Sequence, residues 1–251
     1  CGLGGKPGSE GLGVVLAVPG LDAACRSHGW RRKGGSCFYN PGGMFSSSQL
    51  FPQVQEWARE LGFSQIGVTG VDLSSAEPGL VSWLAQGFHG DMAYMAAHGL
   101  KRARPAELVP GTVSVITVRM NYLPAATADG WQNIEFDRLQ RPEEGIVSLY
   151  ARGRDYHKVL RNRLKQLGER IEQRCQTLLP STQETPGEWR PFVDSAPILE
   201  RPLAAKAGLG WVGKHSLLLN ESAGSFFFLG ELLVSLPLPV DAPVEKEQCG
   251  K

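Results

Sequence analysis

Residues 193–204 read V-D-S-A-P-I-L-E-R-P-L-A, which brings a strand end, a turn and a helix start within twelve positions. The aromatic and β-branched residues of 190–193 predict a strand, and 200–207 predict a short helix that stops at Gly208. A strand joined to a helix by such a short turn is typical of domains that mix α-helices and β-strands. Asp194 is therefore expected at the carboxyl end of a strand.

Outward from this stretch, apolar residues alternate between helical and extended spacing. The longest helical pattern covers residues 154–179 and ends at Pro180, and the most apolar strand pattern covers 225–236. The further predicted elements are helices at 50–61, 80–84 and 92–97 and strands at 65–69 and 114–118. This order predicts an α+β domain over residues 44–240.

The composition is that of a globular protein, with 42% hydrophobic and 20% charged residues among 251. No stretch approaches the ~18 consecutive apolar residues of a transmembrane helix, so we expect no membrane association. The formal net charge of +1 means that any nucleic-acid binding must come from local clusters of basic residues. Five scattered cysteines without a C-x-x-C pair argue against a disulfide framework and favour a reducing, cytoplasmic location.

The first 43 residues differ from the rest because they are rich in glycine and lack a periodic apolar pattern. We interpret residues 1–43 as a disordered or spurious extension, with Met44 as the natural start. The short apolar run Val14–Val18 is a weak secretory signal, since only Lys6 precedes it and no suitable cleavage site follows.

Glycines 208, 210 and 213 form the run G-L-G-W-V-G, which matches the dinucleotide-binding fingerprint in letters. The fingerprint requires a preceding strand and a following helix, whereas a helix is predicted before Gly208. Because the acidic Glu231 follows at a suitable interval, a flavin or nicotinamide oxidoreductase stays open as an alternative. Such glycines more often indicate close backbone packing or the backbone approach of a large flat ligand.

Basic residues concentrate between positions 138 and 174, where ten Lys and Arg face five Asp and Glu. Such an excess can follow the phosphates of a nucleic acid, or it can be the solvated face of a helix. The pattern alone leaves both interpretations open.

Asp194 itself has two interpretations. Its neighbours Phe192, Val193 and Ile198 are apolar, and desolvation of a carboxyl favours the protonated form that a general acid needs. Alternatively, Asp194 caps the helix that follows Pro197.

Four motifs together resemble epoxyqueuosine reductase, in their order and their spacing. They are residues 193–201, the glycine run 208–214, the block 224–231 with its following L-P-L-P, and Y-A-R-G-R-D-Y-H at 150–157. The family comprises cytoplasmic, cobalamin-dependent iron–sulfur enzymes related to reductive dehalogenases, which reduce epoxyqueuosine to queuosine at the tRNA wobble position. The resemblance implies a cobalamin-binding, nitroreductase-like α+β fold, and a monomer that takes electrons from an external donor.

The resemblance also implies roles for individual residues. Asp194 would donate the proton to the departing epoxide oxygen, Glu200 and Arg201 would lie near the substrate, and the basic region would bind tRNA, with Arg161 and Lys165 as contacts. Residues expected around cobalamin, besides Asp194, are Arg102, Ser148, Lys214, His215, Leu218 and Leu229. His215 and Leu149 depart from the family, which usually has Asn and a basic residue at these positions.

Cys249 and Gly250 resemble the opening of the family's cluster motif C-G-x-C-x-x-C-x-x-x-C-P. A 4Fe–4S cluster needs four thiolates, so Cys249 is a metal ligand that cannot hold a cluster by itself. We therefore expect residues 241–251 to begin a truncated 4Fe–4S ferredoxin-type domain whose remainder is missing. The single cysteine of the cluster motif favours an alternative, in which the chain is a catalytically inactive remnant that binds cobalamin and tRNA.

Overall fold

The computed structural model describes residues 47–123, 127, 129–178 and 188–244. The predicted extension 1–43 lies outside the described residues. Of the predicted segment 241–251, only residues 241–244 are described, so Cys249 also lies outside. Within the described ranges, helices and strands mix as the sequence predicted, which confirms the α+β class.

The centre of the fold is a four-stranded sheet in which all three strand pairings are antiparallel. Its strands stand in the order β1, β2, β6, β3, and the short strands β4 and β5 pair separately as a hairpin. The strands are β1 Gln65–Thr69, β2 Ser114–Asn121, β3 Trp189–Phe192, β4 Trp211–Val212, β5 Leu218–Leu219 and β6 Phe227–Val234.

Seven α-helices connect these strands in the described part of the chain, and short 3₁₀ turns occur at Ser74–Ala76, Gly99–Ala103 and Leu149–Ala151. The helices are α1 Ser47–Glu60, α2 Glu77–Ala85, α3 Ala93–Ala96, α4 Pro105–Leu108, α5 Trp131–Leu139, α6 Tyr156–Leu178 and α7 Glu200–Lys206. Two of these, α4 and α5, were not predicted. In α5 the apolar residues Ile134, Phe136 and Leu139 are exposed, so the helix lacks the buried apolar stripe that makes a helix visible in sequence.

The two faces of the sheet are covered by different helices because successive side chains of a strand point to opposite faces. On one face, Leu160 and Leu164 of α6 pack with Leu232 of β6 in the main core, which also includes residues of α1. On the other face, Leu203 of α7 packs with Leu233 of β6. Alternation along β6 therefore places position 231 on the face that α7 covers.

The edges of the sheet are β1 and β3. The side chain of Asp241 accepts the Val68 N–H at 2.8 Å, and the Asp241 N–H donates to the Val68 carbonyl at 2.9 Å. The opposite edge strand contains Pro191, which has no N–H to donate.

No helix in the described part of the chain is both long enough and apolar enough to cross a membrane.

Candidate active site

Asp194 lies two residues beyond the end of β3 and has a backbone φ of 33°, which is unusual for a residue with a side chain. Its carboxylate accepts a hydrogen bond from the hydroxyl of Tyr156, and the Nε2 atom of His157 lies 3.2 Å from its Oδ2 atom. Both partners lie in the first turn of α6. Asp155 caps this helix by accepting the His157 N–H at 3.0 Å, and its Oδ1 lies 2.9 Å from His157 Nδ1. Asp194 is thus held by the first turn of α6, which is distant from it in sequence.

Aromatic stacking fixes that helix start against the sheet. The rings of Tyr156 and Phe228 are stacked with centroids 4.0 Å apart and an interplanar angle of 3°, and His157 stacks on Tyr156 at 4.0 Å. Burial and the hydrogen bond to Asp194 raise the pKa of Tyr156, so its hydroxyl keeps the proton that it donates. The position of Asp194 consequently depends on packing between α6 and β6.

The alternative role of Asp194 as a helix cap is wrong. Leu199 occupies the N-cap position of α7 and makes no side-chain cap hydrogen bond. The Asp194 side chain is also 50% exposed, so it is not the buried carboxyl that its apolar neighbours predicted. The more deeply buried carboxyls near Asp194 are those of Glu200 and Glu231.

Asp194 opens on a cavity of about 160 Å³ between α7, β5 and β6. Its wall carries Glu200, Arg201 and Ser225 as polar groups, and the remaining lining residues are Tyr156, Leu217, Leu218, Phe227, Phe228 and Leu229. A wall that combines apolar side chains with several polar groups is the usual construction of a small-molecule site.

Two further carboxyls, those of Glu200 and Glu231, are affected by the charge of Asp194. Burial and the negative charge of Asp194 raise the pKa of Glu200 to about 7. Glu231 has no exposed surface, and burial together with the charges of Glu200 and Asp194 raises its pKa well above the ordinary value. A neutral carboxyl at neutral pH can donate a proton, so this side of the cavity has acid capacity.

The structure brings five of the predicted site residues together, since Asp194, Glu200, Arg201, Leu218 and Leu229 line the same cavity. The other four predicted cofactor residues do not line it.

Each of those four residues has a different environment. Arg102 is buried and donates to the carbonyls of Met95 at 2.9 Å and Tyr94 at 3.0 Å, and desolvation lowers its pKa. Ser148 precedes the turn Leu149–Ala151, and Lys214 and His215 are exposed between β4 and β5.

Close contacts with other parts of the chain explain the glycines of the run 208–213. A Cβ at Gly210 would lie 1.9 Å from the Leu219 carbonyl oxygen, and one at Gly208 would lie 2.7 Å from the Ala242 oxygen. The run follows α7 and leads into β4, and the sheet pairings are antiparallel, so the strand–loop–helix context of a dinucleotide site is absent from these described residues. Close packing is therefore the interpretation that the geometry favours.

The basic region is partly neutralised. Arg138 and Arg141 pair with Glu144, Arg152 pairs with Glu135, and Lys165 lies 3.6 Å from Glu169. In the described part of the chain, Arg154, Lys158, Arg161 and Arg174 make no ion pair. Exposed Lys158 and Arg161, with Lys165 beside its partner Glu169, follow one face of α6, which is a narrower basic stripe than the sequence suggested.

Sequence reasoning assigned no role to Tyr156, His157 or Phe228, although all three lie within the quoted motifs. Their function depends on contacts across 37 and 38 residues with Asp194, which no local pattern reveals. Among the described residues, no group of three or more His, Cys, Asp or Glu could hold a metal ion.

Comparison with known proteins agrees with this geometry. The family described as "Epoxyqueuosine reductase QueG, DUF1730" matches residues 102–195, which include Asp194. The epoxyqueuosine reductase of Alicycliphilus denitrificans is 62% identical over 207 residues, covering 82% of this chain and 55% of that protein. The enzyme of Escherichia coli is 60% identical over 204 residues, covering 81% and 50%.

Solved structures agree as well. The structure of epoxyqueuosine reductase from Streptococcus thermophilus is 25% identical with a TM-score of 0.62, covering 79% of this chain and 49% of that one. An epoxyqueuosine reductase solved with an epoxyqueuosine-modified tRNA-Tyr stem loop gives a TM-score of 0.63 at 24% identity, covering 80% and 49%.

The described domain therefore has the fold of the epoxyqueuosine reductases. The sequence resemblance to epoxyqueuosine reductase that the motifs indicated is confirmed over about four fifths of this chain. The chain spans about half the length of the curated relatives that it matches. The relationship to reductive dehalogenases stays a prediction.

Proposed function

We propose that this chain provides the acid-bearing half of an enzyme that reduces epoxyqueuosine to queuosine at the wobble position of tRNA. The observation that carries the proposal is the half-exposed carboxyl of Asp194, which Tyr156 and His157 hold at the mouth of a cavity that Glu200 and Arg201 also line. The matched relatives are about twice as long as the stretch they share with this chain, so the remainder of the active enzyme would come from additional sequence.

Asp194 would act as the proton donor. Opening an epoxide leaves a developing alkoxide, and an adjacent carboxylic acid stabilises it by transferring a proton. Tyr156 and His157 would orient that acid, because both bind its Oδ2 atom and leave Oδ1 directed elsewhere. Glu200 and Arg201 would contact polar groups of the substrate at the same wall.

The apolar side chains of the cavity wall would contact the flat face of a corrin ring such as that of cobalamin. Leu217 and Val212 are exposed apolar side chains beside the cavity residue Leu218, and Trp211 Nε1 is buried without a hydrogen-bond partner in the described residues. Leu218, Leu229 and Phe228 would hold the ring, and the chemistry that cobalamin supplies when bound is electron transfer to the substrate. Arg102, Ser148, Lys214 and His215 stay predicted contacts of parts of the cofactor beyond this cavity.

The exposed basic stripe of Lys158, Arg161 and Lys165 would bind the tRNA backbone. It lies on α6, the helix whose first turn holds Asp194, so a bound anticodon stem would be directed toward the acid. We further propose a cytoplasmic monomer that takes electrons from an external donor. The 4Fe–4S clusters would require cysteines beyond the described residues, with Cys249 as the first.

The experiment is a fusion of this chain to the remaining portion of the Alicycliphilus denitrificans relative, reconstituted with cobalamin and iron–sulfur clusters. We expect single-turnover conversion of an epoxyqueuosine-containing stem loop. A correctly loaded fusion that binds the stem loop without converting it would overturn the proposal and leave the remnant as the function. Conversion that requires a flavin or a nicotinamide in place of cobalamin would favour the oxidoreductase alternative.

The chain without the added portion provides the matched comparison. It should bind cobalamin in the base-off form, with an affinity below that of the fusion because part of the cleft wall is missing. An unchanged cobalamin spectrum at excess protein would contradict this expectation.

A further inference from the structure

His157 bridges two carboxyls, and the proposed mechanism uses it only to orient one of them. Its Nδ1 atom lies 2.9 Å from Asp155 Oδ1, and its Nε2 atom lies 3.2 Å from Asp194 Oδ2. Stacking on the Tyr156 ring, with centroids 4.0 Å apart, holds the imidazole in this position. Each ring nitrogen therefore contacts a different carboxyl.

Asp155 determines which nitrogen of His157 carries a proton. Its Oδ1 atom also accepts the backbone N–H of His157 at 3.0 Å, and the hydrogen bond from the imidazole lowers the pKa of the Asp155 carboxyl. An ionised carboxylate can only accept hydrogen bonds, so the imidazole must be the donor. His157 Nδ1 thus carries a proton in the neutral ring as well as in the charged one.

The contact between His157 and Asp194 requires one more hydrogen. With its proton on Nδ1, a neutral imidazole presents a lone pair at Nε2, and a carboxylate presents lone pairs at Oδ2. Two bare acceptors at 3.2 Å would repel each other, so one proton must lie between them. The Tyr156 hydroxyl does not provide it, because it donates to the same oxygen and its pKa is raised by burial and by that hydrogen bond.

A shared proton explains how a half-exposed carboxyl can serve as an acid. The Asp194 side chain is 50% exposed, and an isolated carboxyl in water is ionised at neutral pH, with no proton to donate. An imidazole can hold a proton there, because its charge changes near neutral pH. A carboxyl and an imidazole in direct contact titrate as a pair. The pair can therefore keep a proton that a lone carboxyl would lose.

We propose that His157 supplies the proton that Asp194 donates, and that Asp155 holds the imidazole in the tautomer that this transfer needs. The inference rests on the proposed role of Asp194 as proton donor. As the epoxide opens, the N–H bond at Nε2 breaks and an O–H bond forms on Asp194. That O–H bond breaks when the alkoxide oxygen takes the proton, which leaves a carboxylate and a neutral imidazole. Solvent then returns a proton to His157, whose side chain is 38% exposed.

Charged and titratable groups of three elements lie around Asp155, His157 and Asp194. They are Tyr156 and Lys158 of α6, Glu200 and Arg201 of α7, and Glu231 of β6. Glu200 is the competing proton source, because burial raises its pKa to about 7 and it lines the cavity with Asp194. The described residues that line the cavity do not include His157, so His157 acts on the substrate only through Asp194.

The first test needs neither cofactor nor substrate. In this chain labelled with ¹⁵N in the histidine rings, NMR should show that Nδ1 of His157 stays protonated while Nε2 loses its proton as pH rises. Asp155→Ser keeps a helix cap but is too short to reach Nδ1, so the neutral ring should then carry its proton on Nε2 as well. The exposed His98→Gln is the matched control and should leave the His157 signals unchanged. A neutral His157 with a bare Nδ1 in the parent would overturn the inference.

The second test measures how the single-turnover rate of the fusion depends on pH. The rate of the parent should fall over the pH range in which NMR shows that Nε2 loses its proton. His157→Gln can donate an amide hydrogen bond to Asp194 but holds no transferable proton. Its rate should be about tenfold or more below that of the parent near neutral pH and should recover at acidic pH, where an isolated carboxyl is protonated. A rate lowered equally at every pH would show a merely structural role and would overturn the inference.

Glu200→Gln decides between the two proton sources. If His157 supplies the proton, this variant should keep the pH dependence of the parent, whatever its absolute rate. A pH dependence that is lost in Glu200→Gln and kept in His157→Gln would assign the proton to Glu200 and overturn the inference. Failure of the parent fusion to convert the stem loop would count against the proposed function, and the NMR experiment would still decide which nitrogen of His157 carries the proton.

Discussion

Tyr156 and Phe228 lie face to face, with ring centroids 4.0 Å apart and an interplanar angle of 3°. The same Tyr156 donates its hydroxyl hydrogen bond to Asp194. The stack therefore joins the first residue of α6 to the sheet and, through the hydroxyl, sets the direction of the carboxyl at the cavity. The ring of Tyr156 packs α6 on the sheet, and its hydroxyl orients Asp194, so the two roles can be separated by mutation.

Tyr156→Phe separates these tasks, because it retains the stack and removes the hydrogen bond. We expect the melting temperature of the chain to change little and the single-turnover rate of the fusion to fall by about tenfold, or ~1.4 kcal/mol of barrier. Tyr94→Phe is the control, since among the described residues the exposed Tyr94 hydroxyl donates a hydrogen bond only to the sulfur of Met92. A variant as fast as its parent would show that His157 orients Asp194 without the tyrosine.

Asp194→Asn tests the proton donor. Asn is nearly isosteric but cannot deliver a proton, so epoxide reduction in the fusion should fall by ~10²-fold or more, a barrier increase of ~2.7 kcal/mol. Cobalamin binding and thermal stability should remain close to those of the parent. The exposed Asp91→Asn serves as the control. An active Asp194→Asn enzyme would remove Asp194 from the catalytic role.

Stability should depend on pH through the buried glutamates. Because folding raises the pKa of Glu200 and Glu231 above the ordinary value of 4.5, the folded chain binds more protons than the unfolded chain above that pH. The free energy of unfolding should therefore fall as pH rises from about 4.5 through about 7, the pKa of Glu200, and Glu231 should contribute in the same direction.

Glu231→Gln removes one of these two contributions. Urea unfolding measured between pH 5 and pH 8, at roughly unit intervals, should give a flatter dependence on pH in the variant than in the parent. Glu221→Gln should keep the parent's dependence. Parallel curves for parent and Glu231→Gln would mean that Glu231 is ionised in the folded state.

The tRNA surface is tested by charge removal on one face of α6. Changing Arg161 and Lys165 together to Ala should weaken stem-loop binding and reduce the slope of log K against log salt by ~0.7–0.9 for each phosphate that the variant no longer neutralises. Arg170→Ala is the control, because Arg170 pairs with Glu60 at 2.6 Å and lies on the opposite side of the helix. Equal slopes in the double variant and the parent would identify the stripe as a solvated face.

Elements with strong apolar periodicity were predictable from sequence. Residues 154–179 and 225–236 correspond closely to α6 and β6, because each buries an apolar set at the spacing of its own structure. Helix α5 was missed, since its apolar side chains are exposed and leave no period to detect. Whether an element buries a periodic set of apolar side chains, more than the helix or strand propensity of its residues, decided whether it could be predicted from sequence.

The site was predictable only in part, for a physical reason. Asp194, Glu200 and Arg201 lie within one motif, so their proximity follows from a single strand–turn–helix unit. The contacts of Asp194 with Tyr156 and His157 depend on how α6 docks on the sheet. The burial of Glu231 depends on α7 covering the strand, so a residue noted only for its spacing from a glycine run becomes the most buried acid of the site.

The two edge strands of the sheet, β1 and β3, affect the tendency of this domain to aggregate at high concentration. An uncovered edge strand is a template on which a second chain can add its own strand, and aggregates grow from such pairings. Asp241 already occupies backbone groups of Val68 on one edge, and Pro191 withholds a donor on the other. Removing residues 241–244 would expose Val68 to a neighbouring chain, so the segment that contains Asp241 protects this edge from self-association.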